Sequence, residues 1–161
     1  MKNESNQTAI FAAGCFWSVE EKFYKLPGVI STRVGYTGGT TKNPTYEQVC
    51  ENLTGHAEAV EITYDEKKIS YNDLLHIFWQ IHDPTTPNQQ GADIGPQYRS
   101  VIFYKSEHQK EMAEKSKRKM EQTGLLAGPI ITQIKPATQF YEAEKYHQKY
   151  FLHNPNMSCP I

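Results

Sequence analysis

The stretch TAIFAAGCFWSVEEKFYKL, residues 8–26, changes its hydrophobic period at a glycine. Residues 8–13 form an uninterrupted apolar run, which is typical of a short buried strand. Beyond Gly14, apolar side chains recur at steps of three and four residues, as they do on one face of a helix. These side chains are Phe16, Val19, Phe23 and Leu26. Because glycine permits a tight turn, the stretch predicts a strand that passes directly into a helix at Cys15.

Strand and helix patterns continue to alternate along the rest of the chain. Further strands are predicted at 29–36, 56–64, 98–105 and 129–135. Further helices are predicted at 46–52, 70–83, 107–123 and 142–152. Ser70 with Asp73 forms a capping pattern, and Gly124 is a stop signal. Residues 84–97 are too rich in Pro, Gly and Gln for regular structure, and so long a loop is more often functional than idle.

The order of these elements predicts a two-layer α/β (α+β) fold without repeats or linkers. We therefore expect one catalytic domain over residues 1–161, with a flexible N-terminus at 1–7 and a mobile, irregular tail at 153–161. A chain of 161 residues is long enough to bury a sizeable core.

The charge and composition of the chain indicate which kinds of partner and which cellular compartment to expect. The 17 Lys and Arg residues balance 18 Asp and Glu residues, so the net charge of −1 gives no reason to expect nucleic acid or an anionic membrane. The N-terminus lacks the shape of a secretory signal, and no apolar run is long enough for a membrane span. Three cysteines, an odd number, do not suggest a disulfide framework. We expect a cytoplasmic protein and a monomer.

Cys15 has two interpretations on local evidence. At the first turn of a helix, free backbone N–H groups and the helix dipole stabilise a thiolate, which is the reactive form of cysteine. Phe16 and Trp17 would then line its surroundings. The alternative is that all three residues simply belong to the core.

The predicted strand 56–64 carries a carboxyl group on its inward face. Alternation places Glu58 with Val60 and Ile62, whereas Glu61 points the other way. Burial of a lone carboxylate raises its pKa, and a carboxyl group that stays protonated near neutral pH can act as a general acid. The alternative is a glutamate at a frayed strand end that reaches water or pairs with a lysine.

Weaker candidates lie in the loops and in the tail. Tyr46 and Tyr98 stand at loop ends, where a phenol could donate into a cleft, and Asp93 could cap a turn or orient a site. Cys159, in the tail, could resolve a sulfenic acid or be an incidental thiol. Cys50 is interpreted as packing.

A different enzyme class stays open at this point. His56 shares the face of Glu58 in the predicted strand and could pair with Cys15 as a thiol hydrolase dyad. The six histidines and three cysteines show no zinc-ligand spacing, and no phosphate-binding motif is present.

Six motifs in order resemble the A-type peptide-methionine sulfoxide reductases. They are GCFW at 14–17, GYTGG at 35–39, NPTYEQVC at 43–50, GHAEAV at 55–60, FWQIHDPT at 78–85 and GADIGPQYRS at 91–100. The resemblance extends from about Phe11 to about Pro155. It implies a compact mixed sheet flanked by helices, with a ferredoxin-like core, and reduction of the S epimer of methionine sulfoxide, free or in oxidised proteins. A relative that binds the sulfoxide without turnover is the non-enzymatic alternative.

The resemblance also assigns roles residue by residue. It implies Cys15 as the nucleophile, Glu58 as the proton donor, and Tyr46 and Tyr98 as hydrogen-bond donors to the sulfoxide oxygen. Asp93 would hold the site, and Phe16 and Trp17 would receive the S-methyl group.

The implied cycle leaves a sulfenic acid on Cys15, which Cys159 resolves to a disulfide. Thioredoxin or another dithiol then reduces that disulfide, and no cofactor or metal is needed. Some members of the family have a longer tail with two recycling cysteines, so direct reduction of the sulfenic acid by an outside thiol is the alternative here.

Overall fold

The computed structural model of the protein describes residues 5–157, and its main feature is a six-stranded sheet in the order β7-β6-β1-β3-β2-β8. The strands of the chain are β1 (Asn6–Ala13), β2 (Val29–Thr37), β3 (Ala57–Asp65), β4 (Gln89–Gln90), β5 (Asp93–Ile94), β6 (Ser100–Tyr104), β7 (Gln133–Pro136) and β8 (Tyr141–Glu142). The α-helices are α1 (Phe16–Tyr24), α2 (Tyr46–Cys50), α3 (Tyr71–Gln80), α4 (Glu107–Gln122) and α5 (Tyr150–His153). Strands β4 and β5 form a separate two-stranded sheet.

The four central strands have the ferredoxin-like arrangement. Strand β3 lies between β1 and β2 and is antiparallel to both, while β6 pairs with β1 antiparallel on its other side. With α1 and α3 as crossovers, this is the split βαβ pattern. Strand β7 is parallel to β6, which makes the sheet mixed. The predicted fold class is confirmed.

The main core lies between one face of the sheet and the helices, so the domain has two layers. Strand residues of this core include Phe11, Val34, Val60, Ile62 and Ile102, and helix residues include Phe16, Phe23, Leu74, Phe78 and Ala113. The other face of the sheet has a smaller cluster, which includes Ile10, Ala12, Phe103 and Phe140. Within residues 5–157, no helix is long and apolar enough to cross a membrane.

Helix boundaries follow their capping residues. Ser70 accepts the backbone N–H of Asp73, whose carboxylate accepts the N–H of Ser70 in return, as the capping pattern predicts. Thr45 and Gln48 form the same reciprocal pair at the start of α2. Ser106 caps α4, which ends before Gly124, a residue with φ +69°.

Three predictions about elements are wrong. Residues 142–152 do not form one helix but a short strand, a 3₁₀ turn at Lys145–His147 and α5. Residues 84–97 contain the β4–β5 hairpin and begin a 3₁₀ turn, Pro96–Tyr98. Strand β1 begins at Asn6, so residues 6 and 7 of the expected flexible N-terminus lie in the sheet.

Candidate active site

The turn between β1 and α1 is made possible by Gly14. Its φ is +99°, which side chains rarely adopt, and a Cβ built there would lie 2.8 Å from the side chain of Gln90. That side chain is held by Asp83, whose backbone N–H and carbonyl each bond to it at 2.8 Å. The loop after α3 therefore packs directly against Gly14, the residue that precedes Cys15.

Cys15 is the N-cap residue of α1, as the sequence predicts, but its thiol is not the expected thiolate. Burial and the neighbouring charge of Glu58 raise the pKa of Cys15 to about 12. Backbone N–H groups of Trp17 and Ser18 lower it, which is the effect of the helix start. The expectation failed because desolvation outweighs these N–H groups.

Glu58 lies on the inner face of β3, and its predicted burial is confirmed. The residue is 2% exposed. Its Oε1 accepts the backbone N–H of Phe16 at 3.2 Å, and its Oε2 has no hydrogen-bond partner within residues 5–157. Burial, with a smaller contribution from Asp93, raises the pKa of Glu58 to about 8 although the Phe16 N–H lowers it. A protonated carboxyl group is thus held beside the N-cap thiol.

The loop residues surround this pair. Asp93, in β5, lies close enough to raise the pKa of Cys15 and of Glu58. Tyr98 ends the 3₁₀ turn, and burial together with the charges of Glu58 and Asp93 raises the pKa of its phenol. Tyr46 begins α2, and burial together with a hydrogen bond to Cys50 raises its phenol pKa. Both phenols therefore stay protonated and able to donate hydrogen bonds at neutral pH.

Phe16 and Trp17 point in different directions from the first turn of α1. Phe16 is 1% exposed and packs against Tyr36, with ring centroids 5.7 Å apart. Trp17 is half-buried and stacks on Tyr150, with ring centroids 3.7 Å apart and an interplanar angle of 7°. Both rings also contact the imidazole of His147, so the two predicted pocket residues share one aromatic cluster.

His147 is the central residue of this cluster, and the sequence analysis did not identify it. The indole Nε1–H of Trp17 donates to His147 Nδ1 at 2.9 Å, and the ring of Tyr46 lies 4.5 Å from the imidazole. His147 is 1% exposed, and burial lowers its pKa. Since Nδ1 accepts, the neutral ring carries its proton on Nε2. Its role comes from contacts with residues far away in the chain, so no local pattern in the sequence identifies it.

His147 and Tyr150 belong to a C-terminal strap, which we define as residues 141–153. The strap is fixed to the body of the protein by hydrogen bonds at Gln148 and Lys149. Gln148 bonds to both backbone groups of Val34 at 2.8 and 2.9 Å. The backbone N–H of Lys149 donates to the buried carboxylate of Glu20 at 2.6 Å. The strap thus forms one wall of the site.

His56 does not pair with Cys15, which removes the basis for the thiol hydrolase alternative. Its Nδ1 accepts the N–H of Gly39 at 3.0 Å, and its Nε2 lies 2.7 Å from the carbonyl oxygen of Thr41. Both ring nitrogens therefore bond to the loop before α2. His56 holds that loop in place, and its buried ring meets Tyr141 edge-on.

The remaining cysteines differ from expectation or lie outside the described part. Cys50 is exposed and hydrogen-bonded to Tyr46, so its interpretation as packing is wrong. Cys159 lies outside the described residues. Between residues 5 and 157, no group of three or more His, Cys, Asp or Glu side chains could hold a metal ion.

Comparison with known proteins agrees with this geometry. The family described as "Peptide methionine sulfoxide reductase" matches residues 7–161. The "Peptide methionine sulfoxide reductase MsrA" of Methanothermobacter thermautotrophicus is 57% identical over 153 residues, which is 95% of this chain and 90% of that protein. The reduced form of Mxr1 from Saccharomyces cerevisiae superposes with a TM-score of 0.90 at 34% identity, covering 99% of this chain and 92% of Mxr1. Mxr1 in complex with Trx2 superposes with a TM-score of 0.64 at 25% identity, covering 99% and 89%. The chain belongs to the peptide methionine sulfoxide reductase family.

Proposed function

We propose that this protein reduces methionine S-sulfoxide, free or in oxidised proteins, to methionine, with Cys15 as the nucleophile and Glu58 as the proton donor. The observation that carries this assignment is the buried carboxyl group of Glu58, which burial and Asp93 keep protonated up to a pH of about 8, against the N-cap thiol. A sulfoxide presents an electrophilic sulfur and an oxygen that leaves only when protonated. The pair supplies a soft nucleophile and an acid for these two atoms.

The reductive step balances without an external proton. The sulfur of Cys15 forms a bond to the sulfoxide sulfur while Glu58 gives its proton to the oxygen. The S–O bond then breaks, the oxygen is transferred as hydroxide to the Cys15 sulfur, and the bond between the two sulfurs breaks as methionine leaves, so that Cys15 becomes a sulfenic acid. The proton that Cys15 loses replaces the one that Glu58 donated. A resting thiol with a high pKa is compatible with this step, because its proton is needed at the carboxylate.

The other site residues bind and orient the substrate in this proposal. Phe16 and Trp17 receive the S-methyl group, the only small apolar group beside the sulfur. Tyr46 and Tyr98 donate hydrogen bonds to the sulfoxide oxygen, and both phenols stay protonated at neutral pH because burial raises their pKa. Asp93 orients the site residues, and its charge lies near Glu58 and Tyr98.

Recycling would use Cys159 and an external dithiol. The thiolate of Cys159 attacks the sulfenic sulfur, water leaves, and a Cys15–Cys159 disulfide forms. Thioredoxin is the proposed reductant, and the complex of the related Mxr1 with Trx2 supports it. We place the protein in the cytoplasm, because such a disulfide is transient in a reducing compartment.

The decisive experiment is an assay with separated epimers of methionine sulfoxide and dithiothreitol. We expect methionine from the S epimer with the wild type and none with Cys15→Ser. Cys50→Ser is the matched control: it removes the other thiol of the described residues, and it should retain turnover because the serine oxygen can still accept from the Tyr46 hydroxyl. Failure of the wild type to reduce the S epimer would overturn the proposed function.

The resolving step needs a separate measurement. One equivalent of the sulfoxide without reductant should yield a peptide pair linked through Cys15 and Cys159 in a mass-spectrometric map. A stable sulfenic acid on Cys15 beside a free Cys159 would show instead that an outside thiol reduces Cys15 directly.

A further inference from the structure

Glu144 connects three parts of the site that are distant in the sequence. It lies in the C-terminal strap, two residues after the end of β8. Its Oε2 accepts the backbone N–H of Tyr46 at 3.0 Å, and its Oε1 accepts the hydroxyl of Tyr36 at 2.8 Å. One carboxylate thus bonds to the first residue of α2 and to the central strand β2.

Tyr46 depends on this contact because its own helix is short. Helix α2 has five residues, and the Thr45–Gln48 capping box satisfies the N–H groups of those two residues only. The N–H of Tyr46 is an unpaired group of a helix start unless a partner outside the helix accepts it. Glu144 is that partner, 98 positions away in the chain.

Glu144 is itself held rigidly on both sides. Tyr36, its second partner, is fully buried and packs against Phe16. The backbone next to Glu144 is fixed as well, since the N–H of Ala143 donates to the carbonyl of Val34 at 2.9 Å. The carboxylate is thereby oriented before substrate arrives, and it can transmit that orientation to Tyr46.

We propose that Glu144 is a positioning residue for Tyr46, which it holds through the backbone so that the phenol faces the reaction centre. The proposal rests on the function proposed above, in which the Tyr46 hydroxyl donates to the sulfoxide oxygen. Glu144 touches neither substrate nor the reacting atoms in this role. This role needs an ionised carboxylate, which can accept both hydrogen bonds. Burial alone would raise the pKa of Glu144, but the hydrogen bonds from Tyr46 and Tyr36 lower it overall.

A double-mutant cycle separates positioning from a general structural effect. The rate of methionine formation is measured in a single turnover without reductant for Glu144→Leu, Tyr46→Phe and the double variant. We expect Glu144→Leu to lower the rate at least tenfold when Tyr46 is present and less than threefold in the Tyr46→Phe background. If Glu144→Leu lowered the rate by the same factor in both backgrounds, its effect would not depend on the Tyr46 phenol, and the proposal would be overturned.

The conservative variant and a matched control complete the test. In Glu144→Gln the amide oxygen can accept from Tyr46 and the amide group can donate to the Tyr36 hydroxyl, so we expect the rate to return to within threefold of wild type. Glu142→Gln, on exposed β8 two residues away, should leave the rate unchanged.

Hydrogen exchange of the Tyr46 amide tests the contact without reference to activity. We expect Glu144→Leu to accelerate that exchange at least tenfold, even if the wild type proved inactive on the sulfoxide. Unchanged exchange would overturn the proposed contact, whereas an inactive wild type with accelerated exchange would overturn the proposed function alone.

Discussion

At the residue scale, Glu58 is a site where stability and the proposed chemistry oppose each other. The alternation of side chains along β3 places Glu58 on the buried face, and burial raises its pKa. Both the position and the raised pKa could therefore be predicted from the sequence. The raised pKa of Cys15 could not be predicted in this way. The helix start lowers that pKa, but burial by residues distant in the chain raises it by more. Residues whose role comes from distant contacts, such as His147 and Glu144, leave no local signal at all.

Replacing Glu58 by glutamine should stabilise the protein increasingly with pH. The pKa of Glu58 is about 8 in the folded protein against an ordinary value of 4.5, so between these values the folded state binds more protons than the unfolded state. The free energy of unfolding of the wild type therefore falls as pH rises through this window. We expect the advantage of Glu58→Gln to grow to a few kcal/mol near pH 8, at about 1.4 kcal/mol for each pH unit.

Urea unfolding at several pH values measures this difference. Glu61→Gln is the matched control, since Glu61 lies on the same strand, pairs with Arg33 at 2.8 Å and faces the other way. It should change stability by less than about 1 kcal/mol at every pH. A Glu58→Gln advantage that does not vary between pH 5 and 8 would contradict the raised pKa.

At the element scale, predictions succeeded where local pattern and tertiary contacts agree. The β1–α1 turn and the capped starts of α2 and α3 are examples, because their signals lie within a few residues. The strap was predicted as a helix because residues 142–152 are good helix formers. In the structure Lys149 has φ +49°, and its N–H bonds to Glu20 instead of to a carbonyl four residues earlier. A contact 129 positions away thus overrides local propensity.

Gly14→Ala should destabilise the β1–α1 turn more than a positive φ alone does. Alanine at φ +99° is strained, and its Cβ would lie 2.8 Å from Gln90. We expect a loss of at least about 2 kcal/mol in the free energy of unfolding, with reduced turnover because Cys15 is displaced. Gly124→Ala is the control: that residue also has a positive φ, +69°, but no atom within 4 Å of the added Cβ. Equal losses for the two variants would show that packing against Gln90 has no effect.

His147→Leu should release the indole of Trp17 from the strap. The Nε1–H of the half-buried indole loses its acceptor at 2.9 Å, so we expect its NMR signal to move upfield and the free energy of unfolding to fall by about 1 kcal/mol. The chain has two tryptophans, and Trp79 of α3 donates to Ser116 of α4 at 2.8 Å, so its indole signal should not move. His147→Asn places an acceptor oxygen in the position of Nδ1 and should restore the Trp17 signal. An unmoved Trp17 signal in the leucine variant would refute the hydrogen bond.

At the scale of the whole molecule, the first and the last strand of the described chain belong to the same sheet. The first strand, β1, is central, whereas β8 of the strap lies at one edge beside β2. Alternating strands and helices predicted two layers, but the strand order and the ferredoxin-like core were implied only by the resemblance. Hydrophobic period does not encode which strands are neighbours, so this order could not be read from the pattern itself.

Because the strap completes the main core, we expect the domain to unfold in a single transition. Ala143 of the strap is buried in the same cluster as Phe11 of β1 and Leu74 of α3. The indole signal of Trp17 reports on the strap, and that of Trp79 reports on the contact between α3 and α4. In a urea titration of the wild type followed by NMR, both native signals should disappear with the same midpoint. If the Trp17 signal disappeared at a lower urea concentration than the Trp79 signal, the strap would be a separate unit that opens before the sheet does.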